Sequence, residues 1–514
     1  MKGIATCIVI LSVAACGPTA GSERDCGQGP TDLNTDPMNC GQCAFVCTDN
    51  QSCHAGKCNA GTCDPGSSEP CYDGQDGTAG VGPCTKGMHT CGSDGNWSQC
   101  MGEVIPGAEV CGNGIDDNCN GKTDEDEDAD GDGFTTCGGD CCDSTECSNP
   151  KDVNPGAFDA PGNNFDDDCN GVVDDSITVC DQALTSGSTD AMDFAKAIDL
   201  CQTATMADRK WGVISGALTL PDGTGTPEAV SHSIRHHFGS GVQPQGGLSM
   251  ALLSSGAAAG KGDTNPAYHD FVSYSGALSS NLPADWLAAN GGKVPNAPGC
   301  PEPTDLKGND PVMLTLSIRV PTNAHSFKLS VNFFSAEFPE WVCNSFNDFF
   351  VVLLDSTYAG TPANPADKNL AFYTPPSDPT KKFPVGVNLA NTGLFTQCVN
   401  GTTGCDGMPG SITSCTSTTQ LAQTGMDDVA AGSCDANSLK GGGTGWLVTS
   451  GNVNPGEVIK LRIAIWDTSD HAYDSLAVID GFQWSVDSTQ PGTVIFDKPP
   501  GLAAFNPLEP QSAQ

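Results

Sequence analysis

Residues 111–175 hold the densest set of side chains that can bind a cation. In the segment from Asp126 to Asp132, every second residue carries a carboxylate. Carboxylates this close repel one another unless a cation lies among them, and Ca2+ accepts about six to eight hard oxygen ligands in a flexible shell. The segment therefore predicts calcium binding.

The spacing matches the opening of an EF-hand loop but not its close. Asp128 begins a DxDxDG pattern, as in the first half of that loop. The acid expected at the twelfth position is replaced by Gly139, and Asp140 comes one residue later. No amphipathic helix is indicated on either flank, because cysteines occupy both. The pattern thus predicts a calcium loop that differs from an EF-hand.

A short element occurs on both sides of this segment, as GNGIDDNCNG at 112–121 and GNNFDDDCNG at 162–171. An acid pair follows each copy. The predicted cation ligands are Asp116, Asp117, Asp124, Asp126, Asp128, Asp130, Asp132, Asp140, Asp143, Asp166, Asp167, Asp168 and Asp174. The alternative is a solvated acidic linker, since acidic blocks are usually disordered. Regularly placed Cys and Gly favour an ordered module.

The first element, the acidic run, the CGGDC at 137–141 and the second element follow one another along the chain, and in this order they resemble the metal-binding repeat of bacterial surface proteins. The resemblance implies a calcium-stabilised loop module tied by disulfides and not an EF-hand sensor. It also implies a place on the bacterial surface.

The N-terminus predicts export and a lipid anchor. Lys2 precedes an apolar run, residues 4–15, which is too short to span a bilayer and is typical of a signal peptide. The run ends in Val13–Cys16, which resembles the bacterial lipobox and implies that Cys16 is lipidated. We therefore expect an extracytoplasmic lipoprotein on the outer membrane or cell surface of a Gram-negative bacterium. An ordinary signal peptide with a coincidental cysteine is the alternative.

Composition agrees with export and excludes nucleic acid as a partner. The 514 residues have a net charge of −40, which repels phosphate backbones and anionic membranes. Of the 28 cysteines, Cys7 leaves with the signal peptide and Cys16 is lipidated, so an even number remains for disulfides.

Two small cysteine-rich modules precede the acidic stretch. The first contains Asn39–Cys43, which resembles NNCG-type repeats of bacterial surface proteins; its CxxC favours disulfides over zinc in an oxidising compartment. In the second, Cys71, Cys84, Cys91 and Cys100 are expected to form two bridges around a buried Trp97. We expect these modules, together with the acidic repeat, to act as a stalk that calcium makes rigid.

After residue 178, alternation of apolar and polar residues predicts strands, and 349–354 reads as a strand buried on both faces. The fold class predicted is mainly β, with a jelly-roll-like β-sandwich behind small, irregular, disulfide-rich calcium-binding modules. A short helix is expected between Cys180 and Cys201, pinned by a bridge between them. The remaining cysteines would then pair among themselves: Cys300, Cys343, Cys398, Cys405, Cys415 and Cys434.

FFSAEFPEWVCNSFNDFFVVLL (333–354) and WDTSDHAYDSLAVIDGFQW (466–484) resemble the choice-of-anchor L domain of bacterial extracellular proteins. The resemblance implies location and fold but no particular activity. Acids in these stretches predict a second cation site or, alternatively, turns and helix caps. They are Glu337, Asp348, Asp467, Asp470 and Asp474.

His232 and His236 would suit zinc only on a helix, and we favour a packed or surface pair.

The predicted units are a lipoprotein signal peptide (1–16), a Cys-rich module (17–70), a disulfide knot (71–104), the acidic metal-binding repeat (105–178), the sandwich (179–490) and a C-terminal tail (491–514). No catalytic motif is present, so we expect no enzyme. The leading hypothesis is a surface protein whose sandwich binds a glycan or protein ligand in adhesion. A carboxylate-dependent glycan hydrolase and a purely structural envelope protein are the alternatives.

Overall fold

The computed structural model describes residues 23–27, 30–48, 51–54, 56–59, 63–93, 95–124, 128–144, 149–175, 179–430, 434 and 438–496. The signal segment with Cys16, the acid Asp126 and most of the C-terminal tail lie outside the described residues. The chain divides into two compact units. One comprises Met1–Glu127 and Thr135–Gly138, and the other comprises Asp128–Phe134 and Gly139–Gln514.

The N-terminal unit contains three two-stranded antiparallel ladders, β1 with β2, β3 with β4 and β5 with β6. Their bounds are β1 Glu23–Asp25, β2 Pro30–Asp32, β3 Ser52–His54, β4 Lys57–Asn59, β5 Ser68–Cys71 and β6 Gly87–Thr90. Most buried apolar residues here are half-cystines, so covalent bridges replace a conventional core. The bridges are Cys26–Cys43, Cys40–Cys53, Cys47–Cys58, Cys63–Cys91, Cys71–Cys100, Cys84–Cys119 and Cys111–Cys137.

The predicted knot at residues 71–104 is wrong in part. Cys71 pairs with Cys100, but the other two cysteines pair outside the segment. The β5–β6 hairpin explains one of these bridges, because the Cys91 N–H donates to Ser67 O at 2.8 Å and so brings Cys91 toward Cys63. Trp97 is half-buried and stacks on His89 with ring centroids 4.0 Å apart, so it is not the expected core plug.

The second unit is built on two antiparallel sheets. One has the order β10-β11-β19-β13, with β7 also paired to β11, and the other has the order β21-β18-β12-β20-β9-β8. The strands are β7 Gly212–Thr219, β8 His232–Arg235, β9 Met250–Ser254, β10 Ser279–Asn281, β11 Lys307–Arg319, β12 Ser326–Ser335, β13 Phe349–Asp355, β14 Phe372–Tyr373, β15 Phe383–Pro384, β16 Gly401–Thr403, β17 Gly410–Ile412, β18 Gly442–Asn452, β19 Val458–Asp467, β20 Ser475–Ser485 and β21 Gly492–Ile495. The helices are α1 Ala191–Ala197 and α2 Ala284–Ala289.

Inward-facing residues of both sheets form one core, in which Leu314 and Leu316 of β11 pack with Phe327 and Phe333 of β12. Each of these residues is flanked in the sequence by the alternation of apolar and polar residues that predicts strands. The predicted class, a mainly β protein with a β-sandwich behind a disulfide-rich region, is confirmed.

Strand β13 is buried on both faces, as its continuous apolar run predicts. Phe350 belongs to the central core, whereas Phe349 packs on the outer side against Trp286 of α2 and Trp466 of β19. Helix α2 therefore covers the outer face of this strand.

The helix expected between Cys180 and Cys201 is α1, and the bridge between these cysteines forms. The Asp190 carboxylate caps α1 by accepting from the Met192 N–H at 2.9 Å. Phe194 on the inner face is fully buried. The other cysteines of the sandwich also pair among themselves, as Cys300–Cys343, Cys398–Cys415 and Cys405–Cys434.

Candidate metal-binding loop

The loop that begins at Asp128 is wound by its own aspartates. Asp128 Oδ1 accepts from the N–H groups of Gly131 at 2.6 Å and Asp132 at 3.1 Å, and its Oδ2 accepts from the Gly133 N–H at 2.9 Å. Asp130 Oδ1 accepts from the Asp132 N–H at 3.0 Å. Gly131 and Gly133 have φ values of 81° and 98°, which favour glycine. The backbone N–H groups thus hold the carboxylates in a tight arc.

Two overlapping triads of acids form in this region. Oxygens of Asp128, Asp130 and Asp132 lie within 4.8 Å of one another, and so do oxygens of Asp130, Asp140 and Asp143. Asp130 belongs to both triads. Oxygens at this spacing can share one ion at about 2.4 Å from each.

The triads leave carboxylate oxygens buried without a donor. Oδ2 of Asp130, of Asp132 and of Asp140 each lacks a hydrogen-bond partner. Burial raises the pKa of Asp140 to about 6, with a smaller contribution from the charges of Asp132 and Asp130. Burial is also the first cause of the raised pKa of Asp130 and of Asp132. A cation would stabilise these groups in their charged form.

The donor set of the loop consists of oxygen atoms. Cys137, Cys141 and Cys142, which lie close by in sequence, are all disulfide-bonded and offer no thiolate. The same holds for the one group of three cysteines near enough to share an ion among the described residues, at positions 40, 47 and 58. The loop therefore fits a hard cation.

The first copy of the repeated element lies in the N-terminal unit and folds around its own carboxylates. Asp116 accepts from the N–H groups of Asn120 and Gly121, both at 3.0 Å. Asp124 accepts from the N–H groups of Asn113 and Gly114, also at 3.0 Å.

The second copy, in the other unit, repeats these bonds. Asp166 accepts from the N–H groups of Asn170 at 3.0 Å and Gly171 at 2.8 Å. Asp174 accepts from the N–H groups of Asn163 at 3.0 Å and Asn164 at 3.3 Å, and also from that of Gly162 at 2.7 Å. The sequence repeat is therefore also a structural repeat.

Two further positions of the element match. Asp117 accepts from Nδ2 of Asn113 and Asp167 from Nδ2 of Asn163, each at 2.6 Å. Asp168, by contrast, has an asparagine as its counterpart in the first copy. No candidate acid of either copy joins a triad within the part of the chain that the structure describes. These carboxylates satisfy backbone donors and so shape the elements.

Sequence reasoning missed one pair of acids. Glu109 accepts from the Asn118 N–H at 3.1 Å and Asp159 accepts from the Asp167 N–H at 3.2 Å, so each carboxylate holds one copy of the element. The two acids are fifty residues apart, as are the copies. Extending the repeat alignment a few residues upstream would have found them.

The acids predicted in the sandwich gather at one rim. Glu337 follows β12, Asp348 precedes β13, Asp467 ends β19 and Asp474 precedes β20, and all four are buried. Asp470 is half-buried and accepts from the Ala472 N–H at 3.2 Å, which makes it a turn residue.

The histidine pair does not form a zinc site. His232 begins β8, is buried and lies 5.8 Å from the Phe194 ring, whereas His236 is exposed and hydrogen-bonds Leu248 O at 2.7 Å. Four residues of extended chain span about 13 Å, too far for a shared ion. His232 is thus a packed histidine and His236 a surface histidine.

A surface cavity of about 450 Å³ contains two carboxylates, Asp285 and Asp355. The Arg462 guanidinium contacts both, at 2.7 Å and 3.2 Å. Its hydrogen bonds hold the pKa of Asp285 well below the usual range. A glycoside hydrolase needs one carboxyl group with a raised pKa, and Asp285 is shifted in the opposite direction.

A family model described as "Putative metal-binding motif" matches residues 103–125 and 148–175. The matched segments contain the two copies of the element, and the acidic loop lies between them. Searches of curated proteins and of solved structures found no match. Fold and site together define a disulfide-rich, mainly β protein with a repeat similar to that metal-binding motif.

The disulfides and the metal-binding motif indicate an extracytoplasmic protein. Among the described residues, no helix is both long and apolar enough to cross a membrane.

Proposed function

We propose that this protein is a lipid-anchored cell-surface protein whose disulfide-rich stalk is stabilised by Ca2+ and presents the sandwich to a glycan or protein ligand. The observation that carries the metal part is the pair of triads that share Asp130. Buried oxygens without donors in both triads support a resident cation.

Calcium suits these triads better than other common metals. Zinc and copper ions favour imidazole or thiolate ligands, and the neighbouring thiols are bound in disulfides. Mg2+ demands a near-ideal octahedral shell and keeps several waters, whereas Ca2+ accepts many carboxylates in irregular geometry.

The lipid anchor rests on the sequence Val13–Cys16, which lies outside the described residues. Acyl chains on Cys16 would give stable membrane attachment. In cells fed a labelled fatty acid, the wild type should carry the label and sediment with membranes, and Cys16→Ala should do neither. An unlabelled wild type would refute the anchor.

An aromatic cluster on the sandwich offers a ligand surface. Trp341 is half-exposed and makes edge contacts with Phe346 and Tyr473, at ring-centroid distances of 5.6 Å and 5.7 Å. Aromatic residues are favoured in interfaces because they bury large areas at low entropic cost.

Ligand binding can be tested with the purified full chain on a glycan array and on envelope fragments, both in calcium. The double variant Trp341→Ala/Tyr473→Ala should weaken binding about tenfold or more, and Tyr358→Ala should not. Binding that is unchanged in the double variant would remove the aromatic cluster from the proposal. A wild type that binds nothing would favour a purely structural role.

We propose that Asp285 and Asp355 in the 450 Å³ cavity form an ion-pair cluster and not a catalytic pair, because the Arg462 guanidinium contacts both carboxylates. Incubation with envelope oligosaccharides should release no new reducing ends. Release that Asp285→Asn abolishes would establish a hydrolase instead.

A further inference from the structure

The rim acids of the sandwich are unusual in their burial. Glu337, Asp348, Asp467 and Asp474 are each 0–2% exposed. They come from both sheets, since β12 and β20 belong to one and β13 and β19 to the other. Isolated charged carboxylates are almost never buried to this extent unless they are paired or bind a metal.

Only some of the carboxylate oxygens of these four acids accept a hydrogen bond. Asp348 Oδ2 accepts from Ser255 Oγ and Glu337 Oε2 accepts from the Asp348 N–H, both at 3.0 Å. Neither oxygen of Asp467 and neither oxygen of Asp474 has a donor, and Asp348 Oδ1 has none either. Several buried carboxylate oxygens of this group therefore lack a hydrogen-bond donor.

Positive charge is also lacking there. Asp348 and Asp467 adjoin the Phe349–Trp466 pair of the antiparallel strands β13 and β19, so they occupy neighbouring positions. Across the described ranges, no salt bridge joins a Lys, Arg or His to any of the four acids, and the nearby His471 pairs with Asp310 at 2.8 Å. Neighbouring buried carboxylates repel each other unless one binds a proton or a cation lies between them.

The backbone is shaped to admit Asp474. A Cβ on Gly256 would lie 2.0 Å from Asp474 Oδ2, so only glycine at this position leaves room for that carboxylate. Ser255, beside this glycine, donates to Asp348 and accepts from the Ser475 N–H at 2.9 Å. The segment at 255–256 thus brings the acids of the two sheets together.

We infer that Asp348, Asp467, Asp474 and Glu337 bind a hard divalent cation, Ca2+, which ties the two sheets of the sandwich at this rim. The Asp348–Asp467 pair supplies the first ligands. No three of the four carboxylates lie within 4.8 Å of one another, so binding draws Asp474 or Glu337 toward the pair. This site is independent of the acidic loop and of the proposed surface role.

The test uses the full chain carrying Asp128→Asn, Asp130→Asn and Asp132→Asn, which removes the loop triad. Calorimetric titration with CaCl2 should still show one class of site. Tb3+ should give luminescence sensitised by Trp466, which precedes Asp467 in β19. Adding Asp467→Asn should abolish both signals, and the matched control Asp199→Asn, also beside a second aspartate, should retain them.

The effect of Ca2+ on the melting temperature provides a second measurement, which remains informative if a variant is less stable. Ca2+ should raise the Tm of the parent and of the control but not that of the Asp467→Asn protein. In EDTA, Asp467→Asn should melt at or above the parent, because it relieves repulsion among buried acids. Absence of calcium binding in the parent, or binding that survives Asp467→Asn, would overturn the inference in favour of a shared proton.

Discussion

Asp130 and Asp140 bring carboxylate oxygens within 4.8 Å of each other although they lie ten residues apart. Asp140 therefore replaces the acid that closes an EF-hand loop, although it lies one residue later than that acid would. Gly139, with φ of 95°, supplies a backbone conformation that side chains disfavour and turns the chain at this point. The Asp140 carboxylate therefore still lies close to Asp130, in the first half of the loop.

The position of Asp130 in both triads predicts a rank order of calcium affinities. Asp130→Asn should weaken binding at the loop about tenfold or more, equivalent to about 1.4 kcal/mol, and more than Asp128→Asn or Asp143→Asn. Calorimetry on the full chain checks the order. The exposed Asp76→Asn serves as a charge control, and equal effects of all three loop variants would contradict a shared ligand.

Removal of the bridge that pins α1 should destabilise the sandwich. Cys180 and Cys201 are separated by 21 residues. Without the bridge, the unfolded chain regains the conformational freedom of a loop of that length, which lowers the free energy of unfolding by about 3 kcal/mol. Urea unfolding of Cys180→Ser/Cys201→Ser against the wild type measures the difference. A difference below about 1 kcal/mol would show that the core alone holds α1.

Asp199 should make stability depend on pH. Burial, and next the charge of Asp181, raise the pKa of Asp199 to about 7, from near 4 in an unfolded chain. Between these values the folded state holds a proton that the unfolded chain has released, so the free energy of unfolding falls as pH rises from about 4 to 7. The fall is at most about 4 kcal/mol.

The wild type and Asp199→Asn should therefore differ in the slope of unfolding free energy against pH, measured by urea unfolding in calcium. The asparagine variant should be flatter over this window. Parallel curves would show that Asp199 titrates alike in both states. Asp76→Asn, which removes an exposed charge, should run parallel to the wild type.

Two phenylalanines with opposite exposure test the core. Phe350 is fully buried in β13, and its replacement by alanine should cost about 3 to 5 kcal/mol. Phe165, in the second copy of the repeat, is 51% exposed, and its replacement should change stability by about 0.5 kcal/mol or less. Similar losses in the two variants would argue against the burial pattern of β13.

Period-two patterning was enough to place the strands of the sandwich, because inward residues such as Leu314 and Phe327 must be apolar. The DxDxDG spacing likewise predicted the first triad, since ligands two residues apart follow from local winding. Disulfide partners are set by the folded hairpins, so the pairing of Cys84 with Cys119 was out of reach. The meeting of Asp348 and Asp467, beside the paired strands β13 and β19, depends equally on tertiary structure.

The most direct test of the account is a Ca2+ titration of the oxidised full chain by calorimetry, with thermal melts in calcium and in EDTA. We expect saturable binding, a higher Tm in calcium, and loss of the loop site when Asp128, Asp130 and Asp132 are all replaced by asparagine. Absence of calcium binding by the wild type, with identical melts in both buffers, would contradict it. The acidic loop would then be a solvated segment without a metal.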